Sequence, residues 1–268
     1  MPRISNIYLP LIISILFSAC QKVISVQLNS SSPVYMIEGV ITDLPGTCKV
    51  SITQTKDFSG DNTFPGVSGA VVTVENNGVV TPLAETGTGV YSTNAINGTP
   101  GSTYNLKVSL NGVVYTASST MPQPVGLNSI YVSKELLGNK NYITIVYSDP
   151  AGIKNYYRKV QYVNGHKEKT LFVSDDEFQD GLTIRDQLDF SNDTDDPARD
   201  IHPGDTVRVD MFCIDSTVHK YWSSLQQNGT GSGGSASPAN PTSNIQGGCL
   251  GYFSAETIRS KTLVVPKS

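Results

Sequence analysis

Three Asn-Gly dipeptides, each between short apolar or alternating segments, constrain the fold of this chain most strongly. Asn111-Gly112 follows Tyr104–Leu110, in which apolar and polar residues alternate with a period of two. Such alternation is typical of a strand with one face on a core and the other in water. A two-residue Asn-Gly loop is typical of a β-hairpin, because both loop residues need a positive φ. Asn77-Gly78 and Asn164-Gly165 have the same setting, so the chain is predicted to be mainly β.

A proline-rich segment, Met121-Pro122-Gln123-Pro124, divides these strands into two predicted domains. Proline lacks the N–H donor of a ladder and restrains the residue before it, so no strand is expected to continue through this segment. Residues 34–121 are predicted to form an immunoglobulin-like β-sandwich, because short strands recur there between turn signals. Residues 125–268 are predicted to form a second β-rich domain.

One short helix is predicted in the second domain. Ser216 can cap its N-terminus, and Asn228-Gly229 ends it. Between them lies an apolar stripe at helical spacing, formed by Val218, Tyr221, Trp222 and Leu225.

The N-terminus has the layout of a bacterial lipoprotein signal. Arg3 precedes a mostly apolar stretch, residues 7–17, that is too short for a membrane span of about 20 residues. The small residues Ser18 and Ala19 then precede Cys20, as in a lipobox, where cleavage leaves the cysteine as the first residue, carrying acyl chains such as palmitate. Residues 1–19 are predicted to be the signal and residues 20–33 a polar tether. An ordinary secretory signal is the alternative.

The charge of the chain argues against a nucleic-acid partner. It has 19 Lys and Arg against 23 Asp and Glu, a formal net charge of -4. Proteins that bind nucleic acids need a clustered basic face. We therefore predict no nucleic-acid partner.

Three cysteines remain besides Cys20, namely Cys48, Cys213 and Cys249. Cys48 and Cys213 alternate with apolar residues in predicted strands, which favours buried thiols over a disulfide, although two of the three could pair. No C-x-x-C spacing is present, which argues against a structural zinc site.

No motif for catalysis or for cofactor binding occurs in the sequence in the setting that its chemistry needs. Neither H-E-x-x-H nor G-x-S-x-G occurs. Gly229–Gly234 matches G-x-G-x-x-G, but a dinucleotide site needs a strand before that motif and a helix after it. No catalytic residue and no cofactor are predicted.

Carboxylates are concentrated between Asp175 and Asp200. Asp193, Asp195 and Asp196 lie in a turn-like stretch, and Ca²⁺ binds oxygen ligands in such loops. The EF-hand order with its distal glutamate is absent, however. Solvated loop residues are therefore favoured over a metal site.

The tract Ser243–Ala255 resembles the C-terminal signature of a Bacteroidota lipoprotein family catalogued as domain of unknown function 4249. Further segments fit that family in order, among them Ile37-Glu38-Gly39, Val67–Val72, Asp149-Pro150, Asn155–Arg158 and Gly204–Val207. Residues 65–74 also resemble small transthyretin-like or carboxypeptidase-regulatory-like sandwiches. The resemblance implies an accessory role beside a TonB-dependent outer-membrane receptor, and no known catalytic residues.

Together these features predict a non-enzymatic outer-membrane lipoprotein, on the cell surface or in the periplasm, that binds a ligand or docks on a TonB-dependent receptor. A structural or adhesive surface role is the alternative, since fold does not decide function. A hydrolase with a dispersed carboxylate site is the least favoured. Partner contacts are predicted on two long polar loops, 175–200 and 228–244. The residues singled out on them are Asp193, Asp195, Asp196, Asn240 and Asn244.

Overall fold

The computed structural model describes residues 34–55, 63–134, 140–190, 199–229 and 240–267. The predicted signal, Cys20 and the tether lie outside these described residues. Pro33–Ser268 forms one compact unit. The described part is mainly β with one short helix, which confirms the predicted fold class.

The strands follow the chain in the order of their numbers. They are β1 (Tyr35–Thr42), β2 (Cys48–Gln54), β3 (Val71–Asn76), β4 (Val79–Gly87), β5 (Val90–Thr93), β6 (Thr103–Leu110), β7 (Val113–Thr120), β8 (Leu127–Lys134), β9 (Asn141–Ser148), β10 (Tyr156–Val163), β11 (His166–Lys167), β12 (Phe172–Asp175), β13 (Thr183–Leu188), β14 (Thr206–Cys213) and β15 (Leu250–Val264). The helix α1 (Ser216–Gly229) lies between β14 and β15.

Twelve of these strands belong to one sheet, in the order β11-β10-β14-β15-β1-β2-β5-β4-β3-β6-β7, with β12 paired to β10. The other three form a second sheet, β13-β9-β8. The first seven strands fold into a sandwich, because inward residues of β1 and β2 share one core with those of β3 and β6. The large sheet continues from β1 through β15 into residues 125–268, so it crosses the predicted domain boundary.

The three predicted hairpin turns are confirmed. Asn77, Asn111 and Asn164 have φ values of 51°, 50° and 49°. Gly78, Gly112 and Gly165, which follow them, have values of 81°, 78° and 82°. Positive φ at both positions matches the twist of the flanking strands, so each turn fixes the register of its hairpin.

The chain that returns from the Asn164-Gly165 turn is divided into two short strands. After the Asn164-Gly165 turn, β11 has only two residues, and β12 begins at Phe172. The carboxylate of Glu168 accepts the N–H groups of Lys169 and Thr170, which turns the chain between the two strands.

Helix α1 covers β10, β14 and β15 with the predicted apolar stripe. Val218, Tyr221 and Trp222 are buried, and Leu225 packs beside them. The predicted cap was wrong by one residue. The Asp215 carboxylate, and not Ser216, accepts the N–H groups of Thr217 and Val218, since the helix begins one residue after that aspartate.

The pairing of β1 with β15 is the one parallel pairing among the described strands. Gly39 lies opposite Phe253, and a Cβ on Gly39 would lie 2.7 Å from the Phe253 ring. Gly251 lies opposite Ile37 with a φ of 99°, and a Cβ there would lie 2.0 Å from the Ile37 carbonyl oxygen. Glycine at 251 therefore allows the two backbones to approach.

The cysteines Cys48, Cys213 and Cys249 are free and buried. Burial raises the pKa of the Cys48 thiol to about 12 and that of the Cys249 thiol to about 11. Both therefore remain protonated at neutral pH, as expected for apolar core residues.

Replacing Gly251 with alanine should cost far more stability than replacing Gly248. Both glycines have positive φ, for which alanine pays about 1–2 kcal/mol. Only the Gly251→Ala side chain would collide with backbone, whereas no atom lies within 4 Å of a Cβ at Gly248. We expect Gly251→Ala to lose about 4 kcal/mol or more of unfolding free energy in urea. Equal losses in the two variants would contradict the close β1–β15 approach.

Candidate functional site

A groove of about 900 Å³ lies on the outer face of β3, β6 and β7. These strands form its floor, and the first two turns of α1 together with residues 242–246 form its wall. The groove is lined by Val71, Thr73, Glu75, Val80, Asn105, Leu106, Lys107, Ser109, Thr116, Ala117, Ser118, Thr217, Lys220, Thr242, Ser243, Asn244 and Gln246.

The alternation of side chains along the strands determines which residues form the floor of the groove. On β3, Val72 and Val74 are buried in the sandwich core, so Thr73 between them faces the groove. Across the sheet, Thr73 lies opposite Lys107 of β6, which lies opposite Thr116 of β7. A row of polar side chains therefore crosses the floor.

The wall is held on two sides by hydrogen bonds. The Asn244 amide donates to the Phe253 carbonyl at 2.8 Å, and its oxygen accepts the Phe253 N–H at 2.9 Å. On the other side, the backbones of Gln246 and Thr116 exchange hydrogen bonds of 2.8 and 3.2 Å. The wall is thereby fixed to β15 and to β7.

Charges of both signs line the groove. The Glu75 carboxylate accepts the Asn105 amide at 2.6 Å and the Gly78 N–H. These bonds lower the pKa of Glu75, so it is ionised at neutral pH. Lys107 on the floor and Lys220 on the helix add two ammonium groups.

Apolar surface completes the lining. Val71 and Val80 are 65% and 60% exposed. Among the described lining residues there is no histidine or cysteine. Hydroxyl, amide and ammonium groups beside exposed valines suit non-covalent binding of a polar, extended molecule.

The residues predicted to contact a partner fall in different places. Asp193, Asp195 and Asp196 lie outside the described residues. Asn240 is exposed, at the start of the segment that leads into the wall. Asn244 lines the groove, but its amide is occupied by Phe253, so its role in the structure is to hold the wall.

A comparison with protein families identifies the chain. Residues 21–262 match the model of the family described as Domain of unknown function (DUF4249). The chain belongs to this family. No curated protein matches it. In the described part of this family member, no helix is long and apolar enough to cross a membrane.

The residues of the floor were not singled out in the sequence. Thr73, Lys107 and Thr116 read as ordinary solvent-facing strand positions. Their outward direction was predictable from the alternation, but their meeting with residues 242–246 depends on contacts between distant segments. Of the residues predicted on the loop 228–244, Asn244 lines the groove.

Asn244→Ala should loosen the wall. The substitution leaves the N–H and carbonyl of Phe253 without their present partners, which should lower the free energy of unfolding by about 2 kcal/mol. Asn240→Ala is the control, because Asn240 is exposed and its loss should cost less than about 0.5 kcal/mol. Urea unfolding measures both. Equal effects would show that the Asn244 bonds do not stabilise the wall.

Proposed function

We propose that this protein is a lipid-anchored outer-membrane protein that docks on a TonB-dependent receptor, and that an extended segment of the receptor occupies the groove. The proposal depends mainly on one observation, the polar groove beside β7. The anchor is Cys20, and the receptor is the partner that the family resemblance implies. No catalytic step is part of the proposal.

The position of β7 supports an extended polypeptide as the occupant. β7 is the last strand of the large sheet in the described part of the chain. Residue Gln246 bonds to it through an isolated bridge at Thr116. Because strand residues alternate in the direction of their backbone groups, Ser118 turns its N–H and C=O the same way as Thr116, whereas Gly247 lies against the Val114 carbonyl. An extended segment can hydrogen-bond to such an edge, a recurring mode of peptide recognition.

The lining supports recognition of the segment's side chains and carbonyls. Lys107 and Lys220 can donate to carbonyl or carboxylate oxygens, and the floor hydroxyls can donate or accept. The exposed valines Val71 and Val80 offer apolar contact at the same face. Main-chain bonds at the edge would provide affinity, and these side chains would provide specificity.

Thr116→Arg should abolish association with the receptor. Thr116 is exposed on the floor, so a longer cationic side chain would fill the groove while the backbone bridge to Gln246 remains. Thr262→Arg is the matched control, since Thr262 is an exposed strand threonine outside the groove. We expect the wild type and Thr262→Arg to co-purify the receptor from detergent-solubilised outer membranes, and Thr116→Arg to recover at least about tenfold less.

Two outcomes would overturn the proposal in different ways. Wild-type protein recovered without a TonB-dependent receptor would reject the partner and leave the structural or adhesive role as the better explanation. Equal recovery of the receptor by Thr116→Arg and Thr262→Arg would retain the partner but reject the groove as its docking site.

Cys20→Ser should release the protein from the membrane. The variant lacks the thiol that receives the acyl chains, each of which contributes about 0.8 kcal/mol per buried CH₂ to membrane binding. We expect loss of metabolic labelling with palmitate and transfer from the membrane pellet to the soluble fraction. Unchanged labelling would reject Cys20 as the lipidated residue.

A further inference from the structure

Three aspartates from two loops meet at one end of the small sheet. Asp149 directly follows β9, and Asp176 and Asp180 lie in the loop between β12 and β13. One carboxylate oxygen from each lies within 4.8 Å of the others. Asp149 and Asp176 are only 5% and 2% exposed, whereas Asp180 is exposed. Two of the three carboxylates in this acidic cluster are therefore shielded from water, unlike ordinary surface carboxylates.

The two loops are joined by hydrogen bonds to these carboxylates. Asp149 accepts the Gly181 N–H at 3.2 Å, and Asp180 accepts the Gly152 N–H at 2.8 Å. The Tyr157 hydroxyl also donates to Asp149. Burial, together with this bond, raises the pKa of Tyr157, so the phenol keeps its proton. Each carboxylate oxygen has two acceptor positions, so these bonds leave capacity for a further partner.

A residue that contacts the cluster through its backbone also has a buried side-chain oxygen without a partner. Asn155 ends the loop that begins with Asp149, and its backbone N–H donates to Asp176 Oδ2 at 2.7 Å. Asn155 is 4% exposed, and its Oδ1 is buried without a hydrogen bond. A buried amide oxygen left without a donor costs about 1–3 kcal/mol, so such groups are normally satisfied by protein, water or an ion.

The charge of the acidic cluster is incompletely balanced. Lys154 Nζ lies 2.6 Å from Asp176 Oδ1 and 3.7 Å from Asp175, and its side chain is 46% exposed. One ammonium group therefore faces several carboxylates. Because the Lys154 side chain is partly exposed, it can move into solvent when a divalent cation binds.

We infer that the acidic cluster binds a calcium ion, with Asp149, Asp176, Asp180 and the Asn155 amide oxygen as ligands. Ca²⁺ takes six to eight oxygen ligands in flexible geometry, and water and bidentate carboxylates can complete such a set. Mg²⁺ demands stricter octahedral geometry and dehydrates reluctantly. Zinc prefers thiolate and imidazole, and neither belongs to the cluster. A bound ion would join the two loops and satisfy Asn155.

The test is terbium luminescence of the full chain in detergent after removal of metals with a chelator. Tb³⁺ takes the place of Ca²⁺ and emits when excited through a nearby tyrosine. Tyr157 is bonded to Asp149, and its ring centroid lies 4.9 Å from that of Tyr147. We expect saturable emission that Ca²⁺ displaces.

Two acidic residues of the same loop provide matched variants. Asp180→Asn and Glu177→Gln remove the same charge from exposed positions, but only Asp180 belongs to the acidic cluster. Changes in groups that merely support metal ligands already weaken binding about 10- to 100-fold. Asp180→Asn should therefore weaken Ca²⁺ competition at least about tenfold, and Glu177→Gln should leave it unchanged. The melting temperature should rise with Ca²⁺ in Glu177→Gln and the wild type, and much less in Asp180→Asn.

Three results would overturn the calcium site. The first is the absence of saturable, Ca²⁺-displaceable emission from the wild type. The second is equal affinity in Asp180→Asn and Glu177→Gln. The third is loss of binding in the triple variant Asp193→Ala, Asp195→Ala, Asp196→Ala while Asp180→Asn binds normally. The last would assign the ion to the segment 193–196. These measurements do not use the groove or the receptor, so they succeed or fail independently of the proposed function.

Discussion

The parallel pairing of β1 with β15 is the constraint on which the rest of the structure depends. It joins residues more than 200 positions apart, from Met36 opposite Leu250 to Thr42 opposite Glu256. Because strand side chains alternate, β15 contributes to two cores: Phe253 packs in the sandwich, and Tyr252 packs under α1. The same strand holds the groove wall through the bonds between Asn244 and Phe253.

A buried ion pair fixes the surface on which α1 lies. Arg158 Nη2 is 3.3 Å from Glu256 Oε1, and the guanidinium stacks 4.2 Å from the Phe212 ring and 4.7 Å from the Trp222 ring. Removing one partner of such a pair commonly costs about 3–5 kcal/mol, because the remaining charge stays buried. Trp222 belongs to the helix, so this stack sets the position of α1 and hence of Lys220 in the groove wall.

Local signals predicted the fold better than the candidate sites. The Asn-Gly turns and the α1 stripe depend on neighbouring residues, so the sequence reveals them, and the cap error at Asp215 is one residue. No local sequence pattern predicts the β1–β15 pairing. The need for glycine at position 251 arises only from the close approach of the Ile37 backbone. The acidic cluster was missed for the same reason. Its members Asp149 and Asp176 lie on different loops, and composition drew attention instead to the denser run at 193–196.

Three exposed valines lie in the groove or next to it. Val71, Val80 and Val114 are 65%, 60% and 48% exposed. Strand propensity explains a single exposed valine, since β-branched residues favour strands on either face. Strand propensity does not explain why these valines lie close together. Val71 and Val114 both lie opposite Ser109, and Val71 and Val80 both line the groove. Apolar side chains gathered beside a polar row are typical of interaction surfaces. The grouping therefore favours a partner on this face of the sheet over a face that serves only to cover the core.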